Sequence, residues 1–267
     1  MPSSQPITIL TLGDVVGKPG RKALIQHLDS IVEESQADFV IVNGENASGG
    51  LGITPPVAEE LLALKIDVLT SGNHIWKHKD ILAYLDSEYR LLRPANYPEG
   101  TPGRGFEIFS QTNGVNIGVI NLEGQLFMNP LPCPFRKADA ILEELSQKTS
   151  LIIVDFHAEA TSEKRALGHY LDGRVTAVVG THTHIPTADA EVLPAGTGYL
   201  TDLGMTGPTD SVIGVRKQQA IARFTTRLPS SFQVARGRVQ VQGAIIKADP
   251  DTGKCLEMTQ RCWPVEI

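Results

Sequence analysis

The stretch VVGTHTH, residues 178–184, sets two imidazoles one residue apart, just beyond an apolar run that a glycine closes. A side-chain period of two turns His182 and His184 to the same side of an extended chain, where they can share a metal ion. Two unrelated histidines on a polar loop are the plainer alternative. The same placement recurs elsewhere. Asp14 follows TLG, Glu45 and Asn46 end VNGEN, Asn73 and His74 end TSGNH, and His157 comes after LIIVD. Each has an ordinary explanation. Asp14 can start a turn or cap a helix, Asn46 can be a left-handed turn residue among glycines, and His157 can be a buried imidazole satisfied by a carbonyl. These explanations would all have to hold together, at one edge of one sheet. The donors are oxygen and nitrogen with no thiolate, which suits iron, manganese or zinc better than a cysteine-based site. Asp14, Glu45, Asn46, Asn73, His157, His182 and His184 are too many for one ion with an open position. They suit two ions that share a carboxylate.

Bringing these residues to one edge requires strands of common direction. Apolar runs at 7–12, 39–42, 68–70, 115–122, 151–155 and 175–179 read as strands. Between them, helical spacing runs through 21–34, 55–64, 78–85, 136–147 and 161–170. Strands alternating with helices make βαβ units and a largely parallel sheet covered by helices. Ligands collect at the carboxyl ends of such strands. After residue 228, alternation on both sides of DPDTGK predicts antiparallel strands that close the same domain. The expected organisation is α/β, with one domain over 1–267. The irregular stretches 93–105 and 203–214 are long enough to be functional loops. Arg93, Asn96 and Tyr97 on the first, and Thr206, Gly207 and Asp210 on the second, are candidates to face a substrate. His27 and His169 fall inside helices and read as surface or packing residues, and His78 reads as exposed.

The bulk numbers exclude several classes. A chain of 267 residues, 41% hydrophobic and 20% charged, is an ordinary globular composition able to bury a core. A net charge of −6 argues against extensive nucleic-acid binding. Three cysteines without a CxxC pair give neither a disulfide framework nor a thiolate zinc site. No apolar run is long enough to cross a bilayer, and MPSSQPITIL lacks the basic start and long apolar core of a signal peptide. A reduced, cytoplasmic setting is the expectation. The irregular apolar stretch 126–135 is a candidate contact for a homo-oligomer.

The order GD, GEN, GNH, H and GTHTH resembles the calcineurin-like metallophosphoesterase superfamily, which runs D-x-H, G-D, G-N-H-[DE], H and G-H-x-H. The longer strings GDVVGKPGR, VNGENASGG, GNHIW, RPANYP, DFHAEATSEK, YLDGRV and DLGMTGPTDSVIG are similar to its YmdB-type bacterial phosphodiesterase branch, across nearly the whole chain. The resemblance implies a four-layer α/β/β/α sandwich, two transition-metal ions, and hydrolysis of phosphodiesters including 2′,3′-cyclic nucleotides. It implies that Asp14, Glu45, Asn46, Asn73, His157, His182 and His184 are the metal ligands, with Glu45 shared by both ions. It makes His74 the catalytic imidazole that binds no metal. Two positions depart from the wider superfamily. Val16 stands where D-x-H has its histidine, and Glu45 stands where a bridging aspartate is usual. The first ion then lacks a nitrogen ligand, and oxygen-richer coordination is compatible with iron or manganese.

Such a site answers the difficulty of the reaction. A phosphodiester is an anion and resists an anionic nucleophile. Two cations about 4 Å apart offset the phosphoryl charge and lower the pKa of a bridging water. The departing alkoxide still needs a proton, and His74, adjoining Asn73, is placed to give it. A small phosphodiester or cyclic nucleotide is the expected substrate. Two alternatives stay open: a phosphomonoesterase or nucleotidase on the same metal site, and a regulator that holds a nucleotide or RNA end without turnover. The regulator would have no use for an acid at position 74.

Overall fold

The computed structural model describes residues 5–111 and 114–267. Residues 1–4, the start of the segment read as lacking a leader, lie outside the described residues. Among the described residues no helix is long and apolar enough to cross a membrane. The chain runs β1 (Ile7–Leu12), β2 (Asp14–Val15), α1 (Gly17–Ser35), β3 (Phe39–Asn43), α2 (Pro55–Leu62), β4 (Val68–Thr70), a 3-10 turn (Ile75–Lys77), α3 (Ile81–Ser87) and β5 (Phe106–Ser110). It continues with β6 (Asn116–Glu123), α4 (Pro134–Leu145), β7 (Leu151–His157), α5 (Thr161–Tyr170), β8 (Ala177–Thr181), β9 (Glu191–Val192) and β10 (Gly198–Leu200). It ends with β11 (Met205–Pro208), α6 (Lys217–Thr226), β12 (Val239–Ala248) and β13 (Cys255–Val265).

Among the described residues the strands form two sheets, of seven and six strands. In the first, β1, β3 and β4 are parallel, and β12 pairs antiparallel with β1. β12 also pairs with β11 through Val239 and Gln240, and with β13 along the hairpin that DPDTGK predicted. The second sheet has the order β5-β6-β7-β8-β10-β9, in which β6, β7, β8 and β10 run parallel.

Three apolar clusters explain why the sheets stack. Ile9, Phe39, Ile41, Ile153, Val179 and Ile246 fill the space between the two sheets. The opposite faces of the same strands carry Leu10, Leu12 and Val42, which meet Leu24 and Leu28 of α1 and Leu61 of α2. On the far side, Ile120 and Val154 meet Ile141 and Leu145 of α4 and Leu167 of α5. Strand side chains alternate between faces, so a strand that is apolar on both faces demands a layer on each side. The result is the expected α/β/β/α sandwich.

Several boundaries differ from the sequence reading. The helix expected at 21–34 starts earlier, at Gly17, so GKPG is the first turn of α1, where Pro19 lacks an N–H that no helical carbonyl needs. β8 is shifted to Ala177–Thr181, because its parallel register runs from Ile153↔Ala177 to His157↔Thr181. His157 is therefore the last residue of β7 rather than a loop residue. The helix expected at 78–85 is α3, shifted to Ile81–Ser87, and a separate 3-10 turn at Ile75–Lys77 precedes it. α6 was not foreseen: only Ala220 on it is buried, so it shows no apolar stripe.

Candidate metal centre

The two sheets point the carboxyl ends of their parallel strands at one place. Asp14 lies on β2, which is held by pairing with Met205 and Thr206 of β11. Glu45 and Asn46 follow β3, where the Asn43 side chain accepts the Glu45 N–H and caps the turn. Asn73 and His74 follow β4 through Ser71 and Gly72. Asn121 of the neighbouring sheet fixes Ser71 by accepting its N–H and donating to its carbonyl. Gly72 cannot be larger, since a Cβ there would lie 2.2 Å from the His157 ring. His157 ends β7, and His182 and His184 follow β8. Both of the latter have positive φ, 98° and 64°, a strained backbone of the kind that concentrates at functional sites.

The structure brings all seven proposed ligands and His74 together. Glu45 Oε2 is 3.3 Å from His157 Nε2. That nitrogen is also 2.9 Å from Asn73 Oδ1 and 3.0 Å from His182 Nδ1. Glu45, His157 and His182 can present one ligand atom each within 4.8 Å of one another. On the other side, Glu45 Oε1 is 2.7 Å from Asn46 Nδ2, which is 3.1 Å from His184 Nε2. His184 Nε2 is in turn 3.7 Å from Asp14 Oδ1. The two oxygens of Glu45 thus face two donor sets. Asn46 departs from expectation in one respect: its nitrogen, not its oxygen, faces His184, while its oxygen accepts from His74 Nδ1 at 3.0 Å. A half-turn of the carboxamide exchanges the two atoms.

Each imidazole has one nitrogen tied outward and one turned inward. His157 Nδ1 meets Thr181 Oγ1 at 3.0 Å, and that hydroxyl donates to Asp155 at 2.7 Å. The hydroxyl's proton is committed to Asp155, so His157 must carry its proton on Nδ1 and keep Nε2 as a lone pair. His184 Nδ1 donates to the Ile213 carbonyl at 2.9 Å, which leaves Nε2 inward. His182 Nε2 is 3.1 Å from Glu159, which leaves Nδ1 inward. Oriented lone pairs backed by oxygen acceptors are what metal-binding histidines require.

Asp14 Oδ1 tests the fit to a cation. It is buried and has no hydrogen-bond partner, and a buried carboxylate oxygen is costly unless something positive meets it. With its carboxylates, carboxamides and imidazoles, the cluster fits a transition-metal pair. The protonation pattern agrees. Burial holds His157 down to about 4, so its ring is neutral. Burial opposes the charge on Asp14 and Glu45, yet His184 beside Asp14 and His74 beside Glu45 pull both carboxylates below their ordinary values. Burial also opposes a charge on His184, but Asp14 pushes it up to about 9. A proton on His184 supplies charge that a cation would otherwise bring.

Sequence reading missed the groups that hold this arrangement. Glu159 is half exposed, and nothing in DFHAEA marks it as a partner of His182. Lys164 is 1% exposed and donates to Asp202 at 2.6 Å and to the Thr181 carbonyl at 2.7 Å. Asp202 also accepts the Thr183 N–H, so this ion pair shapes the loop carrying both histidines. Lys164 sits in SEK at the start of α5, where the charged residues read as a solvated helix face. Glu159→Gln is expected to retain the fold and lose about tenfold to a hundredfold in metal affinity. Titration of the metal-free protein with manganese checks this, and wild-type affinity in the variant would remove Glu159 from the centre.

The loop candidates divide. Arg93 is spent on the carbonyls of Pro94, Thr101 and Pro102. Asn96 pairs with the backbone of Glu123, and Tyr97 donates to its carboxylate at 2.8 Å. These three brace a loop and do not face the cavity. Thr206 is buried on β11, Gly207 packs against Val16, and exposed Asp210 pairs with Lys217. The end of that loop, Ile213 to Val215, lines the cavity at the centre instead. His78, expected to be exposed, is half-buried and meets the Leu51 carbonyl at 3.1 Å. His27 on α1 meets the Glu266 carbonyl at 2.7 Å.

Residues 10–260 match the model of the family described as YmdB-like protein. A Bacillus subtilis protein named 2′,3′-cyclic-nucleotide 2′-phosphodiesterase is 47% identical over 250 residues, covering 94% of each chain. Among solved structures, a hypothetical protein from Thermus thermophilus superposes with a TM-score of 0.91 at 42% identity, covering 97% of this chain and 100% of that one. A protein titled a novel phosphatase, from Mycoplasma pneumoniae, gives 0.89 at 36% identity, covering 97% and 94%. With a family match over most of its length and relatives this similar, the chain belongs to the YmdB-like family.

Proposed function

We propose that this phosphoric ester hydrolase acts on small phosphodiesters, 2′,3′-cyclic nucleotides among them, at two transition-metal ions. Asp14, Glu45, Asn46, Asn73, His157, His182 and His184 would hold the ions, with iron or manganese the metals that suit this donor set. The observation that carries the proposal is Glu45, fully buried, with one oxygen toward His157 and the other toward Asn46. When bound, the ions supply charge to offset the phosphoryl oxygens and a nucleophile ionised near neutral pH.

The protein's own groups do the rest. Glu45 sets the spacing between the donor sets. Thr181, Glu159 and the Ile213 carbonyl keep the lone pairs of the three histidines aimed inward. His74 is anchored through Nδ1 to Glu45 and Asn46, each at 3.0 Å, and lines the cavity. Nε2 is then the nitrogen that delivers a proton to the departing ribose oxygen. Opening a cyclic diester leaves a phosphomonoester and that protonated hydroxyl. Metal analysis of protein purified without chelators, with turnover of 2′,3′-cAMP, bis-p-nitrophenyl phosphate and p-nitrophenyl phosphate, tests the proposal. The expected result is two ions per chain and preference for the diesters. One ion would overturn the shared role of Glu45, preference for the monoester would favour a nucleotidase-like activity, and two ions without turnover would favour a binding regulator.

A further inference from the structure

A cavity of about 430 Å³ opens beside the metal centre. Glu45, His74, His182 and His184 form one side of it. Among its other lining residues, Leu51, Ile213, Val215, Phe232 and Val234 make an apolar wall with one aromatic ring, and Glu159, Thr183 and Gln233 add polar groups. A phosphate held at the centre would leave most of this space for whatever is esterified to it. The size is that of small-molecule sites, and an apolar wall with an aromatic ring suits a flat π-system.

The wall is built, not incidental. Phe232 is 48% exposed and belongs to none of the three core clusters. Its segment is nevertheless pinned. The Gln233 carbonyl accepts from Arg216 N–H at 3.0 Å, and the Gln233 N–H donates to the Gln219 side chain at 2.8 Å. The Ala235 N–H donates to the Gly214 carbonyl at 2.8 Å. Val234 fits against Gly17 and Gly50, where an added Cβ would come within 2.9 and 2.8 Å of its methyls. The chain thus holds a half-exposed phenylalanine at the edge of the catalytic cavity without needing it for the core.

We propose that this cavity is the nucleobase subsite, with Phe232 as the ring on which the base stacks. The inference rests on the phosphodiesterase reading above and adds to it where the nucleoside lies. It makes Phe232 a specificity residue that acts on binding rather than on the chemical step. A second aromatic ring, Phe127, is 90% exposed and lines a smaller cavity with Asn73 and His182, and it supplies the competing location.

Steady-state kinetics of the metal-loaded protein on 2′,3′-cAMP and on glycerol 1,2-cyclic phosphate separate these cases, since the second is the same five-membered cyclic diester without a base. Phe232→Ala is expected to raise KM for 2′,3′-cAMP about tenfold, with kcat little changed and the baseless substrate unaffected. Phe232→Trp is expected to restore the wild-type KM. Equal effects on both substrates, or no effect on either, would overturn the subsite. So would a selective rise in KM from Phe127→Ala with none from Phe232→Ala. If the wild-type protein turns over neither substrate, the phosphodiesterase reading fails and the subsite falls with it.

Discussion

Glu45→Gln is expected to purify with little bound metal and to lose activity on every diester, while Asn46→Ala keeps more of both. The difference is charge. Glu45 is fully buried and its two oxygens face separate donor sets. A unit charge about 4 Å from another is worth roughly 4 kcal/mol at an effective dielectric near 20, and this carboxylate would face two cations. Glutamine keeps the shape and removes the charge, so both ions lose a counter-charge at once. Asn46 is neutral and touches only the second set. The glutamine variant should still fold, because it exchanges a buried anion for an uncharged group of the same size. Elemental analysis of both variants, purified alongside wild type, decides the ranking. Equal metal content would mean that Glu45 does not bridge.

His74→Ala is expected to keep its metals and lose about a hundredfold to ten-thousandfold in kcat/KM on 2′,3′-cAMP. The ring contacts Glu45 and Asn46 through Nδ1, so it adjoins the ligands without completing either set. A ribose alkoxide is a poor leaving group and needs protonation, whereas p-nitrophenolate departs unaided. Bis-p-nitrophenyl phosphate should therefore suffer much less. Equal losses on the two substrates with metals intact would assign His74 to orienting the phosphate. Loss of metal would make it a ligand.

The sequence revealed the candidate ligands more readily than their supports, and the reason is local. Asp14, Asn73, His157 and His184 stand at or just past the ends of apolar strands, where a polar donor is conspicuous. Glu159, Lys164 and Asp202 act across the fold, and the sequence around Glu159 and Lys164 resembles solvated surface. Nothing near Lys164 signals that its ammonium is enclosed between Thr181 and Asp202. The long strands β1, β3 and β7 announce themselves because both faces are apolar. β2, β9 and β11 have two to four residues each and exist because a partner strand pairs with them. RPANYP looked like a substrate loop because it is irregular and polar, yet its side chains are consumed by carbonyls and by Glu123.

The donors divide between the layers: Asp14, Glu45, Asn46 and Asn73 extend from one sheet, and His157, His182 and His184 from the other. The proposed ion pair would therefore fasten a seam. By linkage, whatever favours the ions favours the docking of the sheets, and the converse holds equally. Side chains deep in the seam, such as Phe39 and Ile153, touch no ligand in either donor set but govern how far apart the two sets stand. Close-packed interiors transmit such displacements with little loss. On the proposed reading, the grip of this protein on its ions would be set partly by its apolar middle, and a chain starved of metal is expected to loosen first along the line where its halves meet.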